Sequence, residues 1–216
     1  MIEEETVVTG PLTAAARDGL CDIDIRQIDW HEQVQPLRLA AVMESVLEVG
    51  VRNPVQLTRR GDRFMVLDGA HRARAAQALG HRTLRCRVVE LADEAPVDGW
   101  THRLPGDLSL DTPDGAGQTG PRTDGAGRLV ARIGDRHGVR ELRAPLANDG
   151  SYFEALHTLS RCYRHLPYER VETFDPAVAV GTEIAWVMPT WGTICELVED
   201  YGLLPAGVTR LSPHLR

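Results

Sequence analysis

The chain reads LDGAHRARAA from Leu67 to Ala76, and this stretch decides how its first half folds. The apolar residues that lead to Leu67 predict a buried strand that ends at Asp68. Gly69 permits a tight turn out of that strand. The alanine-rich residues that follow predict a helix that continues to Leu79 and ends before a glycine. The stretch therefore indicates an α/β unit with a strand-turn-helix at its centre.

The start of this helix combines several groups that can bind an anion. The first backbone N–H groups of a helix, here from Gly69 and Ala70 onward, have no partner within the helix and lie at its positive dipole end. His71 and Arg72 add side-chain donors, and an arginine fork can bind a phosphate through two bonds. The residue types alone leave two interpretations open: a phosphate site, or a helix capped by Asp68 with a solvated His-Arg pair.

The neighbouring segments support a mixed sheet with helices on it. A strand is predicted near Cys21 to Ile28, and apolar residues at helical spacing predict a helix from Pro36 to Gly50. Short strands are predicted at Val55–Leu57 and Thr83–Val89, the first of them joined by a turn at Arg60-Gly61-Asp62 to the strand that ends at Asp68.

A change of composition divides the chain into two α/β lobes. The segment 111–127 is rich in Gly, Pro, Asp and Thr and predicts a loop. We therefore place the first lobe at 1–105, a flexible Gly/Pro/Asp-rich loop at 106–127 and a second α/β lobe at 128–216. In the second lobe we predict a strand at 128–133, a helix at 152–163 with Phe153, Leu156, Leu159 and Tyr163 inward, a strand or hairpin arm at 178–187 and a helix at 191–201. Trp186, Trp191 and Tyr201 are expected in its core.

Composition and charge exclude several classes of protein. The formal net charge is −7 and the pI about 5.6, with no basic stripe, so nucleic acid is not the expected partner. No stretch approaches the ~20 apolar residues that a membrane span needs. The acidic start differs from a signal peptide, and the four widely spaced cysteines are typical of reduced thiols. These features predict a cytoplasmic enzyme.

The DG-x-HR signature after a strand resembles the nucleotide-binding signature of the ParB/sulfiredoxin superfamily. The preceding GVRNPVQL, from Gly50 to Leu57, is similar to the strand entry of ParB-like domains, and together the resemblance covers about 25–90. Sulfiredoxins carry a nucleophilic cysteine where this chain has Ala70, so their chemistry is excluded. The helix-turn-helix of chromosome-partitioning ParB proteins has no counterpart in the polar loop and acidic second lobe.

Three further motifs resemble the free serine kinase branch of that superfamily. One is the His31-Glu32 pair ahead of the first helix. The second is Trp100-Thr101-His102, in which Thr101 departs from the more usual histidine. The third is a proline-containing turn from Leu204 that ends in Thr209-Arg210. The resemblance implies phosphoryl transfer from ATP or ADP, with magnesium, to the hydroxyl of free L-serine, giving O-phosphoserine for amino-acid or natural-product biosynthesis.

The resemblance also implies roles for individual residues. Glu32 is the candidate base that accepts the hydroxyl proton, although by itself it reads as a solvated charge. Asp68 either orients the hydroxyl or holds magnesium. Arg72 and His71 would neutralise the transferring phosphoryl group. Arg38 would meet a phosphate or form an exposed salt bridge.

In the second lobe, the expected contacts are with the amino acid. Thr209 and Arg210 would pair with the substrate carboxylate, and Trp100 and His102 would wall the pocket. The alternatives are a surface turn for the first pair and simple packing for the tryptophan. We expect the C-terminal lobe to complete the amino-acid site.

A different class of function stays open from the sequence, namely a ParB-like, nucleotide-dependent (CTPase) switch that binds DNA or another partner and transfers nothing to a metabolite. The choice among serine, homoserine and threonine, and the oligomeric state, also stay open.

Overall fold

The computed structural model describes residues 7–8, 20–108, 127–145, 148–175 and 180–211, and the chain forms two compact units. The first unit runs to Ala92 and the second begins at Asp93. This boundary precedes residue 105, where the composition placed it, because the strands at 98–104 pair with later strands. Of the predicted loop 106–127, only 106–108 and 127 lie within the described residues.

The first unit is a six-stranded mixed sheet with two α-helices. The strands are β1 (Val7–Val8), β2 (Leu20–Asp24), β3 (Ile28–Asp29), β4 (Val55–Arg60), β5 (Arg63–Asp68) and β6 (Thr83–Val89), and the helices are α1 (Pro36–Val49) and α2 (Ala70–Ala78). In spatial order the sheet runs β1-β2-β6-β4-β5-β3. A short 3₁₀ turn, Ile25–Gln27, separates β2 from β3 and interrupts the predicted first strand.

Local sequence signals account for most of these boundaries. Pro36 occupies the first turn of α1, and Gly50 ends the helix with a φ of 69°. Gly61, with a φ of 59°, makes the turn between the antiparallel strands β4 and β5. Of the periodic apolar residues of α1, only Val46 is buried, whereas Val49 is exposed. Helix α1 therefore packs on the rest of the first unit through a narrow stripe of its surface.

The second unit contains a five-stranded antiparallel sheet, a two-stranded sheet and two helices. The strands are β7 (Asp98–Gly99), β8 (Thr101–Leu104), β9 (Arg128–Asp135), β10 (Gly138–Ala144), β11 (Glu169–Val171), β12 (Thr182–Trp186) and β13 (Thr209–Arg210), and the helices are α3 (Asp149–Tyr163) and α4 (Trp191–Tyr201). The larger sheet has the order β10-β9-β12-β8-β11, and β13 pairs with β7 in the smaller one.

The core of the second unit confirms two of the three predicted aromatic residues. Trp186 and Trp191 are buried, but Tyr201 is 45% exposed, so its assignment to the core was wrong. Tyr201 instead lies against Phe153 on α3, with ring centroids 5.6 Å apart. Tyr152, not Phe153, is the fully buried aromatic residue at the start of α3. The α/β class is confirmed, and none of the described helices is long and apolar enough to cross a membrane.

Candidate active site

The turn between β5 and α2 has the geometry of an anion site. Gly69 is the N-cap of α2, with a φ of 91°, and no side chain caps this helix. The first intrahelical bond runs from the N–H of Ala73 to the carbonyl of Gly69, at 2.9 Å. The N–H groups that precede it point out of the helix start, where an anion is favoured. Asp68 does not cap the helix, contrary to the capping role in the alternative interpretation.

The guanidinium of Arg72 lies directly over Gly69. A Cβ at Gly69 would come within 2.6 Å of Arg72 Nη2, so the glycine provides the space for the arginine. Arg72 Nη2 donates to Asp68 Oδ2 at 3.2 Å and to the carbonyl of Pro54 at 3.3 Å, both long bonds. Its buried Nε has no hydrogen-bond partner among the described residues. A loosely held guanidinium at a helix N-terminus is well placed to bind phosphate.

The chain that follows β3 continues beside β5 in parallel register. The ring Nδ1 of His31 bonds to the carbonyl of Val66 at 2.7 Å. Further along, the N–H of Gln35 donates to Nε2 of His71 at 3.0 Å, between residues 36 positions apart. The strand pair itself has the same spacing, since Ile28 pairs with Phe64. The segment ahead of α1 is thereby tied to the start of α2.

Glu32 lies in this segment, three residues after the end of β3, between the contact of His31 with Val66 and that of Gln35 with His71. Its side chain and that of Asp68 differ in environment: that of Glu32 is 11% exposed and that of Asp68 is 68% exposed. Nε2 of His31 lies 4.0 Å from Oε1 of Glu32. Burial lowers the pKa of His31, against smaller opposing effects of Glu32 and the bond to Val66. Because a carbonyl only accepts, Nδ1 of the neutral ring carries its proton, and the lone pair belongs to Nε2.

His71 joins the starts of the two helices. Its Nε2 accepts the N–H of Gln35. Its part in neutralising a phosphoryl group stays a prediction. Arg38 lies on the exposed side of α1, and its contact with a phosphate stays a prediction.

No group of three or more metal-ligating side chains that could hold an ion occurs among the described residues. This observation bears on the magnesium expected at Asp68. Magnesium in kinases is commonly held by one or two carboxylates together with substrate phosphates, so it needs no such group. The exposed carboxylate of Asp68 beside the anion site fits that pattern.

In the second unit, three of the four predicted amino-acid contacts form one cluster. Thr209 pairs with Gly99 and Arg210 with Asp98 across β13 and β7. The N–H of Trp100, the next residue, donates to the carbonyl of Val208 at 3.1 Å. Gly99 is required there, because a Cβ would lie 1.9 Å from the carbonyl oxygen of Trp186. The proline-containing turn is thus anchored beside the tryptophan.

Arg210 already has acidic partners inside this cluster. Its Nη2 donates to Asp98 Oδ2 at 3.2 Å, and its Nη1 lies 3.4 Å from Glu172 Oε2. Its guanidinium carbon lies 5.6 Å from the centroid of the Trp100 ring. That of Arg170 lies 5.2 Å from the same centroid. Two guanidiniums therefore lie within 6 Å of the centroid of one indole ring.

His102 lies in the core of the second unit and is only 1% exposed. Its Nε2 donates to the carbonyl of Gly207 at 2.8 Å, and its Nδ1 accepts from the hydroxyl of Tyr163 at 2.6 Å. The indole of Trp186 donates to the Tyr163 oxygen at 3.1 Å, and Tyr168 stacks on the imidazole. Burial lowers the pKa of His102 to about 4. This ring positions the turn around Gly207, and its observed contacts are internal to the core instead of forming a pocket wall.

Sequence reasoning missed Arg170, Glu172 and Asp98, which complete the Trp100 cluster. Arg170 and Glu172 come from a short polar segment whose strand was not predicted, and only its pairing with β8 brings it near Trp100. Asp98 lies two residues ahead of Trp100, and this proximity to a motif residue is the one signal that could have indicated it.

The first unit is similar to a known family of domains. Residues 15–98 match the ParB N-terminal domain. This part of the chain, less than half of its length, is therefore similar to ParB N-terminal domains, as the signature at Gly69 predicted.

Two curated proteins are similar to the chain over this region. The ATP-dependent L-serine kinase SbnI of Staphylococcus aureus is 29% identical over 85 residues, or 38% of this chain and 33% of that protein. An ATP-dependent L-serine kinase of Desulfurococcus mucosus is 27% identical over 90 residues, or 40% of this chain and 35% of that protein. The similarity thus spans about a third of the length of each.

Solved structures extend the likeness of fold to nearly the whole chain. SbnI with a C-terminal truncation, from Staphylococcus aureus, has a TM-score of 0.71 at 22% identity and covers 92% of this chain and 84% of that one. A free serine kinase in complex with AMP has a TM-score of 0.59 at 19% identity, over 89% of this chain and 86% of that one. The fold of both units is therefore that of SbnI and free serine kinase.

Proposed function

We propose that this chain is a kinase that transfers the terminal phosphoryl group of ATP to the hydroxyl of free L-serine, giving O-phospho-L-serine and ADP. One observation carries the proposal: the segment that contains the buried carboxylate of Glu32 is tied by His31 to β5 and by Gln35 to the start of α2, where a helix N-terminus can bind phosphate. The names of the two curated relatives support ATP as donor and serine as acceptor.

The first unit supplies the groups for the chemistry. Phosphate oxygens accept hydrogen bonds from the N–H groups at the start of α2 and from the guanidinium of Arg72. The serine oxygen forms a bond to the terminal phosphorus, the bond from that phosphorus to the bridging oxygen breaks, and ADP leaves. Glu32 accepts the proton that the serine hydroxyl loses.

Asp68 is the residue that would hold magnesium. Its exposed carboxylate lies beside the phosphate site and leaves room for the waters that this ion keeps. Bound there, magnesium would neutralise charge on the phosphate oxygens. The bond from Arg72 to Asp68 would be exchanged for contacts to the nucleotide.

We assign recognition of the amino acid to the second unit, through Trp100 and Thr209, with Arg210 fixing their surroundings. The pairing of β13 with β7 and the anchoring of Gly207 by His102 keep this cluster in one geometry. Preorganised contacts of this kind lower the entropic cost of binding a small ligand.

The experiment is an assay of purified protein with magnesium, a panel of nucleotides that includes ATP, ADP and CTP, and a panel of hydroxy amino acids. We expect O-phosphoserine from L-serine and ATP, identified by mass spectrometry. Homoserine and threonine establish the acceptor, and the nucleotide panel establishes the donor. Nucleotide binding, or CTP hydrolysis, without any phosphorylated amino acid would instead support the nucleotide-dependent switch to which the ParB N-terminal match also points.

A further inference from the structure

Arg170 is a partly buried cation that has no acidic partner among the described residues. It lies on the edge strand β11, paired with His102 on β8. Its guanidinium carbon lies 5.2 Å from the centroid of the Trp100 ring. Within the described part of the chain, no carboxylate is within ion-pair distance of it. A guanidinium that is partly withdrawn from water without an anion is costly, and an anionic ligand would offset that cost.

Arg210, whose guanidinium also lies near this ring, is in the opposite situation. Asp98 and Glu172 lie 3.2 and 3.4 Å from its guanidinium nitrogens. Two carboxylates therefore already compensate the one charge of Arg210. Substrate carboxylate at Arg210 would compete with them, whereas at Arg170 it would meet an uncompensated cation.

We propose that Arg170 binds the α-carboxylate of the amino-acid substrate and is a specificity-determining residue. This inference rests on the proposed serine kinase activity, and it replaces the expectation that Arg210 pairs with that carboxylate. Arg210 instead holds Asp98 and Glu172 in place, and their oxygens are of the kind that accepts hydrogen bonds from an α-ammonium group. The substrate class is a free, zwitterionic hydroxy amino acid.

The test compares L-serine with L-serinamide, which lacks the carboxylate, on wild type and Arg170→Met. Methionine keeps an unbranched stem against Trp100 and removes the fork. We expect kcat/KM for serine to fall roughly 10- to 100-fold, as for loss of a charge-assisted hydrogen bond. The value for serinamide should change less than about threefold, because its complex has no such bond to lose. The KM for ATP should stay unchanged.

Two further variants make the result specific. Arg170→Lys keeps the charge without the fork, and we expect it to recover part of the activity on serine. Arg161→Met removes an exposed arginine of α3, which pairs with Glu154, and should behave as wild type on both substrates. Thermal unfolding of each variant establishes that it is folded at the assay temperature.

The outcomes separate the inference from the activity on which it rests. If wild type phosphorylates serine and Arg170→Met lowers kcat/KM for serine and serinamide equally, Arg170 has a structural role and the inference is wrong. An increase of the KM for ATP in Arg170→Met would assign the residue to phosphate and also overturn it. If wild type yields no phosphoserine, the proposed function fails and the inference fails with it.

Discussion

At the scale of residues, Glu32 and Asp68 are carboxylates in different environments, and the proposed function gives them different roles. Glu32 is largely withdrawn from water, and a base at a dry reaction centre would act without competition from solvent. Asp68 faces solvent, where an ion can approach with part of its water shell. The sequence left Asp68 with two roles, orienting the hydroxyl or holding magnesium, and its exposure favours the second.

Replacement of Glu32 by glutamine tests the role of the base. The substitution keeps size and hydrogen bonding but removes the proton acceptor, so we expect kcat to fall roughly 10²–10⁴-fold. The dissociation constant for ATP should stay within about twofold, because the phosphates are bound at α2. Glu48→Gln, at an exposed position of α1, is the matched control. Stopped-flow and steady-state kinetics provide both constants, and a variant that keeps more than about a tenth of wild-type kcat would exclude Glu32 as the base.

At the scale of elements, the strand-turn-helix around Gly69 connects conformation to binding. The positive φ of Gly69 is a backbone state that L-residues avoid, and the missing Cβ provides the space for Arg72. Gly61 has a similar φ of 59°, but a Cβ there would meet nothing within 4 Å. The two glycines therefore share the conformational requirement and differ only in what surrounds them.

The pair Gly69→Ala and Gly61→Ala separates strain from binding. Each substitution should lower the free energy of unfolding by about 1–2 kcal/mol, the cost of a left-handed L-residue. Only Gly69→Ala should also displace the guanidinium of Arg72 and weaken ATP binding, roughly tenfold or more. Urea denaturation and calorimetric titration with ATP measure the two effects. Equal nucleotide affinity in both variants would contradict the placement of the phosphate site.

The elements that could be predicted are those with local signals. Pro36 and Gly50 mark the ends of α1, Gly69 marks the start of α2 and Gly202 follows the end of α4. Strand β10 was not predicted, because its charged residues Arg140, Glu141 and Arg143 interrupt any apolar pattern and it exists through pairing with β9. Long-range pairing of this kind has no short-range pattern that would reveal it.

The same distinction applies to the candidate site. Motif residues such as Glu32, Arg72 and Thr209 were identified from the sequence. In the structure Thr209 lies in β13 and pairs with Gly99, the residue before Trp100. Arg170 could not be identified, because its position beside Trp100 depends on the register of β11 on β8. The burial of His102 was also not predictable, since its partner Tyr163 is 61 residues away.

At the scale of the whole molecule, buried neutral histidines connect stability to pH. Burial lowers the pKa of His102 from 6.5 to about 4 and also lowers the pKa values of His31 and His157. At a pH between the lowered pKa of a histidine in the folded chain and its ordinary pKa in the unfolded chain, the unfolded chain binds a proton that the folded chain does not. Stability is therefore lost as the pH falls from about 6.5 towards 4, and for His102 alone the loss reaches on the order of 3 kcal/mol.

The variant His102→Gln tests this dependence. Glutamine can still donate to the carbonyl of Gly207 but does not titrate, so its free energy of unfolding should fall less between pH 6.5 and pH 5 than that of wild type. This window lies above the range in which the paired carboxylates Asp24 and Glu154 protonate. Urea denaturation followed by tryptophan fluorescence reports the change. A wild-type stability that is flat across the window would contradict the neutral, buried state of the ring.

The most direct test of the whole account is the fate of the serine hydroxyl oxygen. L-serine labelled with ¹⁸O in its hydroxyl is incubated with ATP, magnesium and the wild-type protein, and the product is analysed by mass spectrometry. The account predicts O-phosphoserine that retains the label, formed in a one-to-one ratio with ADP, because the serine oxygen attacks phosphorus. ADP released at the same rate with and without serine, with no labelled phosphoserine, would contradict it.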